Sequence, residues 1–299
     1  MKVIHPTAVI DPGAQLGDCV EIGPHCYIGP KVVLGEGSRL LHNVSLYGAT
    51  VIGQNNQFFP GCVIGATPQD VKYKGTETQL FIGDDNIFRE HVTIHPGTEV
   101  GGGVTRIGHH NFVLIGVHIG HDVQMGSGCV ITNAVQVAGH CLIEDRCHIG
   151  GMTGIQSFVT IGRHAYVAAM SRISVDVPPY TVVQGYDLEV RGINEKALKG
   201  RWGFRSEQVD DLWRAYKVLW GRSNGKRPLS ERLAELEAVG PHDEHVQYLI
   251  DSVKRSLFEG VYGRYLESKR CDTAADRKAF YDQAAQFDGC AGCDKSESR

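Results

Sequence analysis

The 299-residue chain has no strong charge of either sign, with 30 Lys and Arg against 34 Asp and Glu. It carries no basic run, so nucleic acid is not an expected partner. No uninterrupted apolar stretch approaches the ~20 residues that a membrane-spanning helix needs, so no transmembrane segment is expected. The opening MKVIHPTAVIDPG lacks an apolar signal core. The nine cysteines do not read as a disulfide framework. Cys26, Cys62, Cys129, Cys141 and Cys147 fall at small inward places of the repeat described below, and Cys19 at a turn. There a free thiol is a small apolar side chain. A reduced, cytoplasmic protein is expected. Cys290 and Cys293 form a lone C-x-x-C with Cys271 upstream and no obvious fourth ligand, so neither a metal nor a cofactor is assigned. No Ser or Cys is placed as a nucleophile, which disfavours an acyl-enzyme. Before about residue 200 the chain also lacks helical periodicity.

What replaces it is a period of six. Ile107, Val113, Ile119, Met125, Ile131, Val137, Ile143, Ile149, Ile155, Ile161, Val167 and Ile173 recur without a break. The place four residues later is small: Val123, Cys129, Val135, Cys141, Cys147, Thr153, Val159, Ala165, Ser171, Val177. Period six is neither helical nor simple strand alternation. It is the hexapeptide signature of a parallel β-helix. Three hexads make one triangular coil, so residues 18 apart stack at roughly 4.8 Å along the axis.

The repeat starts at Ile4 and steps by six to Ile64. Residues 67–80 drop the pattern: Asp70 and Thr76 hold inward places, and a charged Asp does not belong in an apolar column. An extruded loop is expected there. A second excursion, with the glycines of residues 99–105, shifts the phase by one. The solenoid is expected to span 1–185 and to end near Asp176-Val-Pro-Pro-Tyr180, where two prolines stop strand pairing. Residues 186–270 are expected to form a small α-helical unit, with Ser206 as an N-cap and helical stripes Val209–Trp220, Leu233–Leu236 and Val246–Leu257. The aromatics of the first stripe are expected to pack. Residues 271–299 are expected to be a disordered tail.

Several histidines cluster mid-chain, none at an inward place. His109, His110 and His148 read as solvated. For the others stacking adds information. His121 plus 18 is Gly139, and Asp122 plus 18 is His140. A carboxylate beside an imidazole orients it and raises its basicity. A glycine amide can approach a developing oxyanion with no side chain in the way. His121, Gly139 and Asp122 thus suit acyl transfer to a hydroxyl by direct attack.

HPTA near the start, QDVKY at 69–73, REHVTIHPGT at 89–98, GGG at 101–103, HIGHD at 118–122, AGH at 138–140, IGGMTGIQSF at 149–158, DVPPY at 176–180, QG at 184–185 and GIN at 192–194 stand in one order. That order resembles the bacterial acyl-carrier-protein–UDP-N-acetylglucosamine O-acyltransferase family, over about residues 3–260. The resemblance implies a left-handed parallel β-helix, a homotrimer with sites between subunits, and transfer of a 3-hydroxyacyl group from acyl carrier protein to the sugar 3-hydroxyl of UDP-N-acetylglucosamine, the first step of lipid A synthesis. It implies His121 as general base and the Gly139 amide as oxyanion donor. It places Asp70, Lys72 and His118 on the sugar, diphosphate or acyl group, with His95 and His140 lining the cleft. Asn194 matches a nucleotide-binding position, Arg201 a phosphate contact, and Ala169 the far end of the acyl groove. Two departures stand out: Gln156-Ser157 replaces the family's usual His-Gln, and Lys196 replaces an acid.

Three rivals are weighed. A related hexapeptide acyltransferase would use a coenzyme A donor or an amino-sugar acceptor. A zinc hydrolase of the γ-carbonic-anhydrase type would need three converging imidazoles, of which His118 and His121 could supply two. A non-catalytic solenoid would leave the stacked pairs as coincidence.

Overall fold

The computed structural model describes residues 1–221, 225, 227–273, 275, 276 and 278. Cys290 and Cys293, and most of the expected tail, lie outside them. Almost every hexad of the first two-thirds contributes a two-residue strand, and these strands stack into three parallel sheets. The first face runs from Val3–Ile4, the second from Val9–Ile10 and the third from Gln15–Leu16. The chain is a left-handed parallel β-helix followed by helices. Register follows the period: Ile119 pairs with Val137, Val137 with Ile155 and Ile155 with Ile173, each three hexads further on. Every one of these side chains is at most 3% exposed. The aliphatic column fails only at its open end. Ile4 is 42% exposed, because the first coil has a neighbour on one side alone.

Both excursions are visible in the register. Ile52 pairs with Ile82, where the period alone would put Asp70, so the equivalent of two whole hexads loops out. Ile82 pairs with Ile107, where the period alone would put Val100. One hexad and one further residue loop out there, and the phase moves by one. The small inward place is not apolar throughout. Ser38, Asn56, Asn86 and Asn111 occupy it, all at most 1% exposed. They survive burial by forming a hydrogen-bond ladder. Asn56 N–H donates to Ser38 Oγ, Asn86 N–H to Asn56 Oδ1, Asn111 N–H to Asn86 Oδ1 and Cys129 N–H to Asn111 Oδ1, at 2.8–3.1 Å. The five hexad cysteines are free and buried; Cys19 is exposed.

An antiparallel hairpin, Thr181–Gln184 with Glu189–Ile193, extends the first face beyond the prolines. Among the described residues four α-helices follow: α1 Glu195–Gly200, α2 Ser206–Trp220, α3 Leu229–Ala238 and α4 Glu244–Lys254. Val209, Leu212, Leu219, Leu233, Leu249 and Ile250 bury in a second core, with Trp213, Tyr216 and Trp220 packed against it. Ser206 is the first helical residue of α2, not its cap. The cap position is Arg205, whose N–H donates to Gln208 Oε1 at 3.1 Å. Gln208, three residues on from the cap, reaches back as the N3 arm of a capping box and satisfies the cap residue's own amide. Tyr248 of α4 donates to Glu144 Oε1 of the solenoid and lies under the Arg163 guanidinium.

Candidate active site

The candidate site lies at the corner between the second and third faces. Successive coils stack His121, Gly139, Ser157 and Val175 in one column and Asp122, His140, Phe158 and Asp176 in the next. A Cβ on Gly139 would lie 2.4 Å from His121 Cε1 and 2.5 Å from Nε2, so the imidazole packs on bare backbone. Gly139 N–H has no backbone acceptor among the described residues.

The Asp122 carboxylate lies nearer to His121 than to the residue one coil on. Its Oδ2 is 2.8 Å from His121 Nδ1 and 3.8 Å from His140 Nδ1. Stacking arithmetic pointed to His140; chain adjacency supplies the shorter contact. An acceptor at Nδ1 places the proton there and leaves Nε2 as the basic lone pair. Asp122 is itself held from the second excursion. Thr98 N–H donates to Oδ1 at 2.8 Å, Thr98 Oγ1 donates to Oδ2 at 2.6 Å, and Asp122 N–H donates to Thr105 Oγ1 at 2.8 Å. A Cβ on Gly101 would fall 2.0 Å from Asp122 Cγ. Thr98, Gly101 and Thr105 hold Asp122 at the candidate site, a role that sequence reasoning did not assign them. The phase shift was the signal: its two flanking threonines grip the carboxylate.

The first excursion closes the other side. Asp70 Oδ2 is 3.8 Å from His121 Nε2 and 3.1 Å from Lys72 Nζ. The Asp70 side chain is 5% exposed. Lys72 N–H donates to Asp70 Oδ1, and Glu99 Oε1 accepts from the Lys74 and Thr76 amides, tying one loop to the other. Asp70, Lys72, His121, His140 and Gln156 line a cavity of about 340 Å³. His95 and His118 are not in that lining. His95 Nδ1 accepts the Gln69 amide, His118 Nδ1 pairs with Thr93 Oγ1, and their rings meet edge to face. Burial pushes His95 and His140 down to about 4 and lowers His118 as well, with nearby His121 adding to the effect. All three are therefore neutral at physiological pH.

Asp70, His121 and His140 place one donor atom each within 4.8 Å of one another. The Lys72 ammonium already sits on the Asp70 oxygen that a cation would need, and His118 is turned away onto Thr93. Among the described residues, three imidazoles do not converge as a γ-carbonic-anhydrase site would need.

The other predicted residues lie elsewhere on this chain. Ala169 is exposed at the corner between the first and second faces. Asn194 is buried, with Nδ2 donating to the His164 carbonyl. Arg201 lines a separate cavity with Arg146, His110 and Trp202, at the corner between the third and first faces.

Coil and corner together define a hexapeptide-repeat transferase. The family described as bacterial transferase hexapeptide (six repeats) matches residues 1–36, and that described as UDP N-acetylglucosamine O-acyltransferase, domain 2, matches residues 176–261. An acyl-[acyl-carrier-protein]–UDP-N-acetylglucosamine O-acyltransferase from Herminiimonas arsenicoxydans is 43% identical over 238 residues, which is 80% of this chain and 89% of that protein. One so named from Janthinobacterium is 44% identical with the same coverage. The solved UDP-N-acetylglucosamine acyltransferase LpxA of Bacteroides fragilis superposes with a TM-score of 0.80 at 36% identity, covering 84% of this chain and 97% of its own. The chain belongs to the acyl-[acyl-carrier-protein]–UDP-N-acetylglucosamine O-acyltransferase family.

Proposed function

We propose that this chain transfers a 3-hydroxyacyl group from an acyl-carrier-protein thioester to the 3-hydroxyl of UDP-N-acetylglucosamine, as the first step of lipid A synthesis. The observation that carries the reading is the His121 imidazole. Asp122 fixes it at Nδ1, while Nε2 faces a cavity walled by Asp70 and Lys72. Nε2 takes the hydroxyl proton as the sugar oxygen attacks the thioester carbonyl. The oxyanion that forms receives the Gly139 N–H. Collapse of the adduct breaks the C–S bond, and the imidazolium returns its proton to the departing thiolate. Lys72 offers a cation to the diphosphate. Asp70, His140 and Gln156 contact the sugar or acyl group, and His95 and His118 support the loop that carries Asp70.

The protein works as a cytoplasmic homotrimer in this reading. Asn194 and Arg201 lie on a different corner from His121, so a neighbouring protomer would bring its nucleotide contacts to this one's base. The working division is a solenoid of 1–185 and a helical unit of 186–270, supported by two separate apolar cores. The decisive experiment is acyl transfer from a panel of acyl-carrier-protein thioesters to UDP-N-acetylglucosamine and to its 3-amino analogue, run with wild type and His121→Ala. Turnover on the hydroxyl acceptor, reduced about 10²–10⁴-fold in the variant, is expected. Near-normal kcat in His121→Ala places the base elsewhere.

A further inference from the structure

The family match over the helices ends at residue 261, yet the chain continues as a strap that returns to the active-site corner. Its latches are hydrogen bonds to the end of the solenoid. Asp176 N–H donates to the Gly263 carbonyl, Tyr265 N–H donates to Asp176 Oδ2, and Arg264 Nη1 donates to the Ser174 carbonyl. Beyond the latches the strap delivers Arg270 over the Phe158 ring at 4.9 Å. Glu267 and Asp272 hold that guanidinium in place. Phe158 in turn stacks on His140, with centroids 4.5 Å apart and planes 1° from parallel. His140 meets His121 edge to face at 4.9 Å. Arg264, Glu267 and Arg270 line the same cavity as His121.

We propose that the strap, residues 260–272, is part of the catalytic apparatus, with Arg270 a positioning residue that acts through Phe158 to hold His140 in place beside the base. This rests on His121 being that base. The groups facing His140 are Asp122 and His121 from the coil below, Asp70 and Lys72 from the first loop, and Glu267 and Arg270 from the strap. Held between Phe158 and this array, His140 is largely buried and stays neutral. Loss of the Arg270 cap admits water, so the His140 pKa climbs from about 4 toward its ordinary value. A cationic His140 beside His121 opposes the imidazolium that forms there in the reaction, so kcat falls as His140 protonates and the acid limb follows the His140 midpoint upward.

The test is Arg270→Met in the full-length protein, with isotope-labelled histidine followed by NMR through a pH titration alongside steady-state kinetics. A His140 midpoint raised by about one unit is expected, with kcat down about threefold at pH 4.5, little changed at pH 7, and KM for both substrates within about twofold. Arg270→Lys, which keeps a cation over the ring, should recover part of the loss. Should Arg270→Met loosen the fold, Phe158→Leu leaves every latch in place and reads the same contact. An unmoved His140 titration in both variants overturns the proposal. A moved titration with an unmoved rate profile supports the strap's hold on His140 and counts instead against His121 as the base.

Discussion

Gly139→Ala isolates the geometry of the site with one methyl group. The backbone tolerates it, because the φ angle of Gly139 is not in the left-handed region. The methyl cannot tolerate the imidazole, which would lie 2.4 Å away at Cε1. Ordinary contact needs about 3.5 Å, so the ring must retreat by about 1 Å. His121 Nδ1 is 2.8 Å from Asp122. A retreat of that size carries the pair outside hydrogen-bond range. Displacement of a catalytic group by about 1 Å costs on the order of 10²-fold in rate. The lost bond to a charged partner costs ~1.5–3 kcal/mol of stability, partly offset by ~0.4–1 kcal/mol from a stiffer unfolded chain. The variant should therefore fold, with kcat reduced about 100-fold in the acyl-transfer assay. Gly154→Ala is the control, because that added Cβ meets nothing within 4 Å. The sharper comparison is Gly139→Ala in a His121→Ala background, where no ring is left to displace. If the methyl costs as much there as in wild type, the steric reasoning is wrong.

Thr98→Val removes the 2.6 Å bond to Asp122. It should lower stability by ~1.5–3 kcal/mol in urea unfolding and reduce kcat with KM unchanged. Stability should fall as pH drops from about 6.5 toward 4. Burial holds His95, His140 and His164 at about 4, so the unfolded chain binds more protons across that window. Each such proton contributes a slope of about 1.4 kcal/mol per pH unit. Asp176, raised by burial to about 6, opposes this with the reverse sign, so below pH 6 it cancels about one of the three histidine contributions and the decline continues at a reduced slope. Unfolding curves at pH 7, 6 and 5 test both statements. For chain length, eight hexads separate His121 from Ala169. They span about 13 Å of axis, or about ten carbons of extended chain, and a donor of roughly 10–14 carbons is expected. Ala169→Met should favour shorter donors and Ala169→Gly longer ones in competition assays; an unchanged profile removes Ala169 from the groove's end.

Much of this was legible in the sequence because a solenoid turns position into arithmetic. The aliphatic column, both excursions and the Gly139–His121 approach all follow from adding three hexads. What arithmetic could not supply was the detail of the excursions. The second of them puts Thr98 and Thr105 around Asp122, and no period describes it. The buried asparagines were missed because a polar residue at an inward place is acceptable only when its partner is known, and the partner is another coil. The strap was missed because its latches join segments far apart in the chain, Arg264 to Ser174 and Tyr265 to Asp176.

The asparagine ladder bears on how such a molecule can change over generations. Asn86 reaches back to Asn56 across the first excursion, and Asn111 reaches back to Asn86 across the second. The rungs therefore join coils by spatial layer, whatever length of chain lies between them. Residues can be gained or lost within either loop while the layers above keep their seating. Loop length can vary outside the residues that hold Asp70 and Asp122, and His121 and Gly139 stay one layer apart throughout.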